Sequence, residues 1–238
     1  MPVLLDHLIV ALILLVLPLR AWWGMRALNA AAADAVPMLR RRLWQRGMLM
    51  QWLLTAAIAW GWWSEHRSPV SLSLVLRPTM GLVGVLVGLA TIVSLVVRQR
   101  ARIAREPELQ ASVRQQLAPV ARLMPHNDAE FAGFAALAVT AGVCEEVMFR
   151  GFLTWYLGHF LPLPFAALLQ AVLFGLAHLY QGRAGIVKTG LVGAFFTGIV
   201  WVSGSLVPAM LIHALMDLHA GDLARRMHVE GWGGSARR

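Results

Sequence analysis

Apolar residues fill this chain in long runs, set apart by shorter polar stretches rich in arginine. Runs longer than about 18 residues can cross a bilayer as helices. Seven spans are predicted, at roughly 4–23, 47–63, 79–97, 130–157, 162–180, 186–202 and 205–220. The pattern is that of an all-α fold, a polytopic transmembrane helix bundle of about seven (six to eight) spans. The first span lacks a basic region before its apolar part and a clear small-residue cleavage site after it, so it is expected to be retained. No tandem repeat, low-complexity tract or soluble segment interrupts the pattern. Residues 1–238 therefore read as a single integral membrane domain.

The longest polar stretch is 98–128. Within it Leu109, Val113 and Leu117 repeat every four residues, with arginines on other faces. That periodicity predicts an amphipathic helix at the membrane interface, bounded by Pro107 and Pro119. Small residues recur at Gly81, Gly84 and Gly88, and again at Gly190, Gly193, Ala194 and Gly198, where they allow close helix packing.

Composition agrees with a membrane setting. The chain is 58% hydrophobic and 14% charged, against roughly a quarter charged in soluble domains. The net charge of +9 first points to nucleic acid, but its distribution excludes that reading. Outside the membrane the basic residues divide eighteen against two between alternate loops. This is the positive-inside pattern, and it predicts an outer N-terminus and a cytoplasmic C-terminus. A nucleic-acid binder would gather the charge on one soluble face. All basic residues but Lys188 are arginine, and with abundant alanine this points to a GC-rich bacterial genome and a bacterial inner (plasma) membrane. The single cysteine, Cys144, excludes an intramolecular disulfide; it reads as a small buried apolar residue more readily than as a nucleophile.

Three polar clusters interrupt the predicted spans. The first is "AGVCEEVMFRGFL", Ala141–Leu153. An ionised group at that depth costs at least ~2.5–3.5 kcal/mol, which marks a functional site. Glu146 and Arg150 are four residues apart, in the favourable order for an ion pair on one helix face. Glu145 points about 100° away around the helix, without Arg150 beside it, and an unpaired, partly desolvated carboxylate suits a general base. The second cluster is "FGLAH", where Phe174 can pack beside His178. The third is "HALMD", where His213 and Asp217 share a face. Each motif alone can be explained by helix packing. Together they set carboxylates and imidazoles on three helices, each of which must face the bundle interior to avoid lipid.

In order and spacing these motifs resemble those of the CAAX-protease and bacteriocin-processing (CPBP, or Abi) intramembrane endopeptidases. "EEVMFR" is similar to that family's EExxxR, "FGLAH" to its FxxxH and "HALMD" to its HxxxN, with Asp217 at the asparagine position. The resemblance covers roughly residues 120–220, which would form the catalytic core. It implies a membrane-embedded peptidase. Glu145 corresponds to the catalytic glutamate, which activates water together with His178. His213 and Asp217 correspond to the pair that supports the oxyanion or positions the substrate. Glu146, Arg150 and Phe174 are implied in structure or substrate contact.

Amide hydrolysis needs a base for water, a stabiliser for the oxyanion and an acid for the leaving nitrogen, and these residues can supply all three. HExxH is absent. The resemblance favours a reaction without a cofactor, although Glu145, His178 and His213 also form a His2Glu set that zinc could use. The implied partners are the lipid bilayer and a membrane-bound substrate, either a prenylated protein or a precursor peptide. Two alternatives remain: a non-enzymatic immunity or accessory protein with the same fold, and a proton-coupled transporter. Convergence of Glu145, His178 and His213 discriminates between them. On the predicted boundaries Glu145 lies in the middle or outer half of its span and His178 near the inner end of its own. A shared site therefore requires tilted or broken helices, or a later start to the fourth span.

Overall fold

A computed structural model describes residues 1–76, 78–103 and 105–229, with Ile92 described by its backbone alone. All regular structure among these residues is helical. The helices are α1 (Leu4–Ala30), α2 (Val36–Ser64), α3 (Met80–Ile103), α4 (Pro107–Leu117), α5 (Asp128–Leu157), α6 (Leu163–Ala177), α7 (Gly182–Ser203) and α8 (Leu206–Val229). Single 3-10 turns occur at Pro69–Leu72, Ala118–Val120 and Leu179–Gln181. Helix α1 contains a π-helical stretch at Leu12–Val16, and α5 a longer one at Glu146–Leu153.

The helix starts follow from local chemistry. Pro37, Pro107 and Pro164 occupy the first turns of α2, α4 and α6, where a missing N–H has no intrahelical partner to lose. Helix α5 begins at Asp128 because Asn127 Oδ1 accepts the Glu130 N–H at 2.9 Å. The Glu130 carboxylate reaches back to accept the His126 N–H at 2.8 Å, so two donors at the helix start are satisfied.

The protein is an integral membrane helix bundle. Four helical stretches among the described residues are long and apolar enough to cross a membrane: Leu4–Ala30, Met80–Ile103, Asp128–Leu157 and Leu179–Ser203. The other three expected spans are helical but fall short of that measure. Helix α6 has only 15 residues, while α2 and α8 are interrupted by Gln, Trp, His and Asp side chains. Helices α2 and α8 also extend well beyond the expected 47–63 and 205–220. The polar stretch starting at residue 98 begins inside α3, which continues to Ile103. Helix α4 runs between the expected prolines. Its Leu109, Val113 and Leu117 pack on Ile103 of α3 and on Leu223 and Met227 of α8, so its apolar face is turned toward the bundle.

Helix α5 is central and packs against α2 and α8. Around its second half lies the main core: Ile9 and Ile13 of α1, Ile58 and Trp62 of α2, Phe174 of α6, Phe196 of α7 and Ile212 of α8. Cys144 is fully buried there, as its apolar character predicts. On the outside, Val83, Leu86, Val87 and Leu95 of α3 are exposed; lipid is the natural solvent for such a face.

Two close helix approaches shape the site. At Gly142 a Cβ would lie 2.8 Å from Ala214 Cβ and 2.9 Å from the Met210 carbonyl, so only glycine lets α5 and α8 touch there. At Gly175 a Cβ would lie 2.6 Å from the Ile186 carbonyl, and α6 and α7 pair closely there.

Candidate active site

The two adjacent glutamates part ways where α5 changes from α- to π-helix. Glu145 ends the α-helical part and Glu146 begins the π-helical stretch. Such wide turns within helices are frequent at functional sites. Glu146 is fully buried. Its Oε1 accepts from Arg150 Nη1 at 3.0 Å and from His213 Nδ1 at 2.8 Å. Arg150 is sandwiched further, with its guanidinium carbon 3.9 Å from the Phe174 ring centre and 5.4 Å from that of Phe196. The ion pair expected at this spacing is present, and a cation–π contact compensates part of the desolvated charge.

Glu145 turns toward a cavity of about 760 Å³. Its Oε1 accepts from Gln51 Nε2 of α2 at 3.1 Å. Its Oε2 is buried and has no hydrogen-bond partner among the described residues. That oxygen lies 3.8 Å from His178 Nε2 and 4.0 Å from His213 Nε2. These separations exceed a direct hydrogen bond and are those of groups bridged by one small molecule.

Both imidazoles are oriented from behind. His178 Nδ1 lies 2.9 Å from the Phe174 carbonyl, so donation there turns Nε2 toward Glu145. The Phe174 ring packs edge-on against His178, 4.8 Å between centroids, as the four-residue spacing predicts. His213 is held by Glu146 through Nδ1 and is stacked on Phe196 at 5.2 Å. Its Nε2 faces the cavity, 3.8 Å from Asp217 Oδ2. Asp217 is the most open member, with 42% of its side chain exposed.

All the residues singled out from the sequence therefore fall in one place. Glu145, His178, His213 and Asp217 border the cavity, while Glu146, Arg150 and Phe174 form the packed layer behind them. The depth conflict disappears because α6 is short. Fifteen residues rise about 22 Å, less than the ~30 Å of a hydrocarbon core. His178 caps the C-terminal end of this short helix and lies 3.8 Å from Glu145, so the two meet.

Two participants lie outside the motifs. Gln51 is the only amide in an otherwise apolar stretch of α2, and that isolation was a usable signal. Phe196 had no signal, being one apolar residue among many. Among the described residues no group of three or more His, Cys, Asp and Glu side chains is spaced to hold a metal ion.

Residues 127–219 match the family model described as type II CAAX prenyl endopeptidase Rce1-like. The matched segment contains the three motifs and all seven residues placed above. Neither the curated proteins nor the solved structures give a match to the chain.

Proposed function

We propose that this chain, whose residues 127–219 match the CAAX prenyl endopeptidase family model, is an intramembrane endopeptidase acting by glutamate-activated water. The observation that carries the reading is Glu145 Oε2, a buried oxygen without a hydrogen-bond partner among the described residues, which faces the Nε2 atoms of two imidazoles oriented from behind.

In the proposed reaction a water binds between Glu145 Oε2 and His178 Nε2. Glu145 takes its proton as the water oxygen attacks the peptide carbonyl carbon. The carbonyl becomes a tetrahedral oxyanion, stabilised by Nε2–H of His213 in its imidazolium form, with Asp217 setting the ring. Glu145 then delivers the proton to the amide nitrogen, the C–N bond breaks, and a carboxylate and an amine leave. No metal takes part. Gln51 holds Glu145 in the attacking rotamer, and the Glu146–Arg150 pair holds His213.

The substrate is proposed to be a membrane-associated peptide or precursor, prenylated or otherwise apolar. The cavity volume is in the usual range for ligand sites, and α1 and α2 line it with apolar residues such as Leu17, Trp23, Leu43 and Met50. The convergence of the three motifs supports this reading over a non-catalytic binding protein. The chain is further proposed to lie in a bacterial plasma membrane with its C-terminus in the cytoplasm. Reporters fused after residues 66 and 110 should give opposite readouts.

The test is comparative peptidomics of membranes carrying the wild-type chain or Glu145→Gln. Cleavage products should appear only with the wild type. Identical product sets would remove the hydrolytic role.

A further inference from the structure

A second cavity, of about 440 Å³, opens between α2 and α5, apart from the catalytic one. Arg41, Trp44 and Gln45 line it from α2, and Glu130, Gly133 and Ala136 from α5. The two helices run parallel here. Arg40 pairs with Glu130 at 3.4 Å, the Trp44 and Phe134 rings meet at 5.8 Å between centroids, and Trp52 Nε1 donates to Thr140 Oγ1 at 3.1 Å. The cavity is therefore a groove along both helices, with its polar end at Arg41, level with the start of α5. Its inner end is closed by the Trp52–Thr140 bond, since these residues lie one turn beyond Met48 and Ala136, the last residues to line it. The eleven residues from Arg41 to Trp52 rise about 16 Å. One leaflet of a hydrocarbon core is roughly 15 Å deep.

The polar end carries an unmatched cation. Arg41 is exposed and has no ion-pair partner or side-chain hydrogen bond among the described residues. Gln45 is one turn on along the same face and is likewise without a side-chain hydrogen bond among the described residues. Its amide and the Arg41 guanidinium can thus reach one anion. The acidic groups nearby are already engaged. Glu130 is buried against Arg40 and accepts the His126 N–H, while the exposed Asp128 contacts Arg225. Below this end the groove is apolar. Gly133 and Ala136 leave the α5 wall without bulk, and the buried Trp44 indole forms part of the floor.

We propose that this groove binds one phospholipid, with an acyl chain between α2 and α5 and its phosphate at Arg41 and Gln45, and that it prefers an anionic headgroup. An apolar slot one leaflet long with a cation at its outer end matches the two parts of such a molecule. Basic recesses between membrane helices are a recurring form of headgroup site. A soluble phosphate would use the polar end alone and leave the slot unused. Trp44 also lines the catalytic cavity, so the bound chain rests against a wall of the active site. Lipid binding at the groove does not depend on peptide hydrolysis.

The experiment is native mass spectrometry of the full chain in detergent, titrated with dioleoylphosphatidylglycerol, dioleoylphosphatidylcholine or glycerol 3-phosphate. The first phosphatidylglycerol should bind about tenfold tighter than the first phosphatidylcholine, and glycerol 3-phosphate should not displace it. Arg41→Gln should remove most of that preference. Gly133→Leu fills the slot from a position whose Cβ would meet only Trp44 ring carbons, at 3.6 Å, and should weaken the first site for both lipids. Arg42→Gln, at the exposed neighbour outside the groove lining, should keep the wild-type affinities. Equal affinity for the two lipids, a preference unmoved by Arg41→Gln or lost equally in Arg42→Gln, or tight binding that survives Gly133→Leu overturns the proposal. So does full displacement by glycerol 3-phosphate, which would make the groove a free-phosphate site. Arg41→Gln is an exposed change that leaves the fold intact, so it decides the matter even where Gly133→Leu lowers the yield of folded protein.

Discussion

His213 Nδ1 and Arg150 Nη1 converge on the same oxygen, Oε1 of Glu146, at 2.8 and 3.0 Å. One buried carboxylate thereby ties α8 to the π-helical stretch of α5 and fixes the imidazole that faces Glu145. The two neighbouring glutamates then have separable duties. Removing Glu146 should be a structural injury. Glu146→Ala leaves Arg150, whose side chain is 1% exposed, charged and unpaired, at a cost of about 3–5 kcal/mol. Glu146→Gln keeps a hydrogen-bonding oxygen and should act in the same direction with smaller effect. Thermal inactivation of purified protein in detergent checks this. An unchanged midpoint for Glu146→Ala would show that the pair is not structural.

Glu145 and Gln51 should behave in the opposite way. Glu145→Gln keeps shape and removes the base, so turnover should fall by ~10²–10⁴ while the melting profile stays that of wild type. Gln51→Ala removes the amide that grips Oε1 but leaves the carboxylate. A hydrogen bond to a charged group corresponds to roughly ten- to hundredfold in rate if it is needed for positioning. The loss should appear in kcat with KM little changed, because Gln51 touches the base. A purely packing role for Gln51 would instead lower stability and spare kcat in the molecules that remain folded.

The site was legible in the sequence where its order is local. Glu146–Arg150, Phe174–His178 and His213–Asp217 are each four apart, and four residues on a helix bring side chains together whatever the rest of the fold does. The cost of charge in lipid then requires the three helices to turn these faces inward. The His213–Glu146 bond, the Gln51–Glu145 bond and the stacking of Phe196 on His213 join residues remote in sequence. They depend on helix rotation and on close approach at Gly142, which no local period encodes. The π-helical stretch was hidden for a related reason: "EVMFRGFL" has ordinary helical composition, and its wider winding follows from packing. The length of α6 was overread because Leu179 and Tyr180 continue the apolar run while the backbone has already turned.

His126 gives the protein a pH dependence away from the active site. It sits just before α5, stacked on His228 at 3.9 Å between centroids. Burial, then the nearby Arg40 and His228, push its pKa down to about 4, against the weaker opposing pull of Glu130. His228 is lowered too, chiefly by burial. Between an ordinary value near 6.5 and about 4, the unfolded chain binds a proton that the folded chain refuses. Stability is therefore full above pH 6.5 and falls as the pH drops toward 4. Melting temperatures at pH 7.5, 6 and 5 should decline for wild type and decline less for His126→Asn. Parallel curves for the two proteins would mean that His126 does not titrate in this way.

The approach of α8 to α5 makes a further test of how packing sets chemistry. A Cβ on Gly142 would lie 2.8 Å from the Ala214 backbone nitrogen as well as its Cβ, and 2.9 Å from the Met210 carbonyl. Two of these three obstacles are backbone, which cannot rotate away, so Gly142→Ala must push the helices apart by some tenths of an ångström. Overpacking of this kind costs about 1–3 kcal/mol. Its larger effect should be on rate. His213 lies on α8 one residue before Ala214, and its distances to Glu146 and Glu145 are set by this contact. A catalytic imidazole displaced by a fraction of an ångström can lose on the order of tenfold or more in turnover. Gly198→Ala provides the control, because nothing among the described residues lies within 4 Å of its Cβ position. In mid-helix α7, alanine there should stabilise slightly and leave kcat as it was. Paired measurement of kcat and melting temperature for the two variants decides the point. If Gly142→Ala loses stability but keeps full kcat, His213 is not positioned through the α5–α8 contact, and its place in the oxyanion step must be given up.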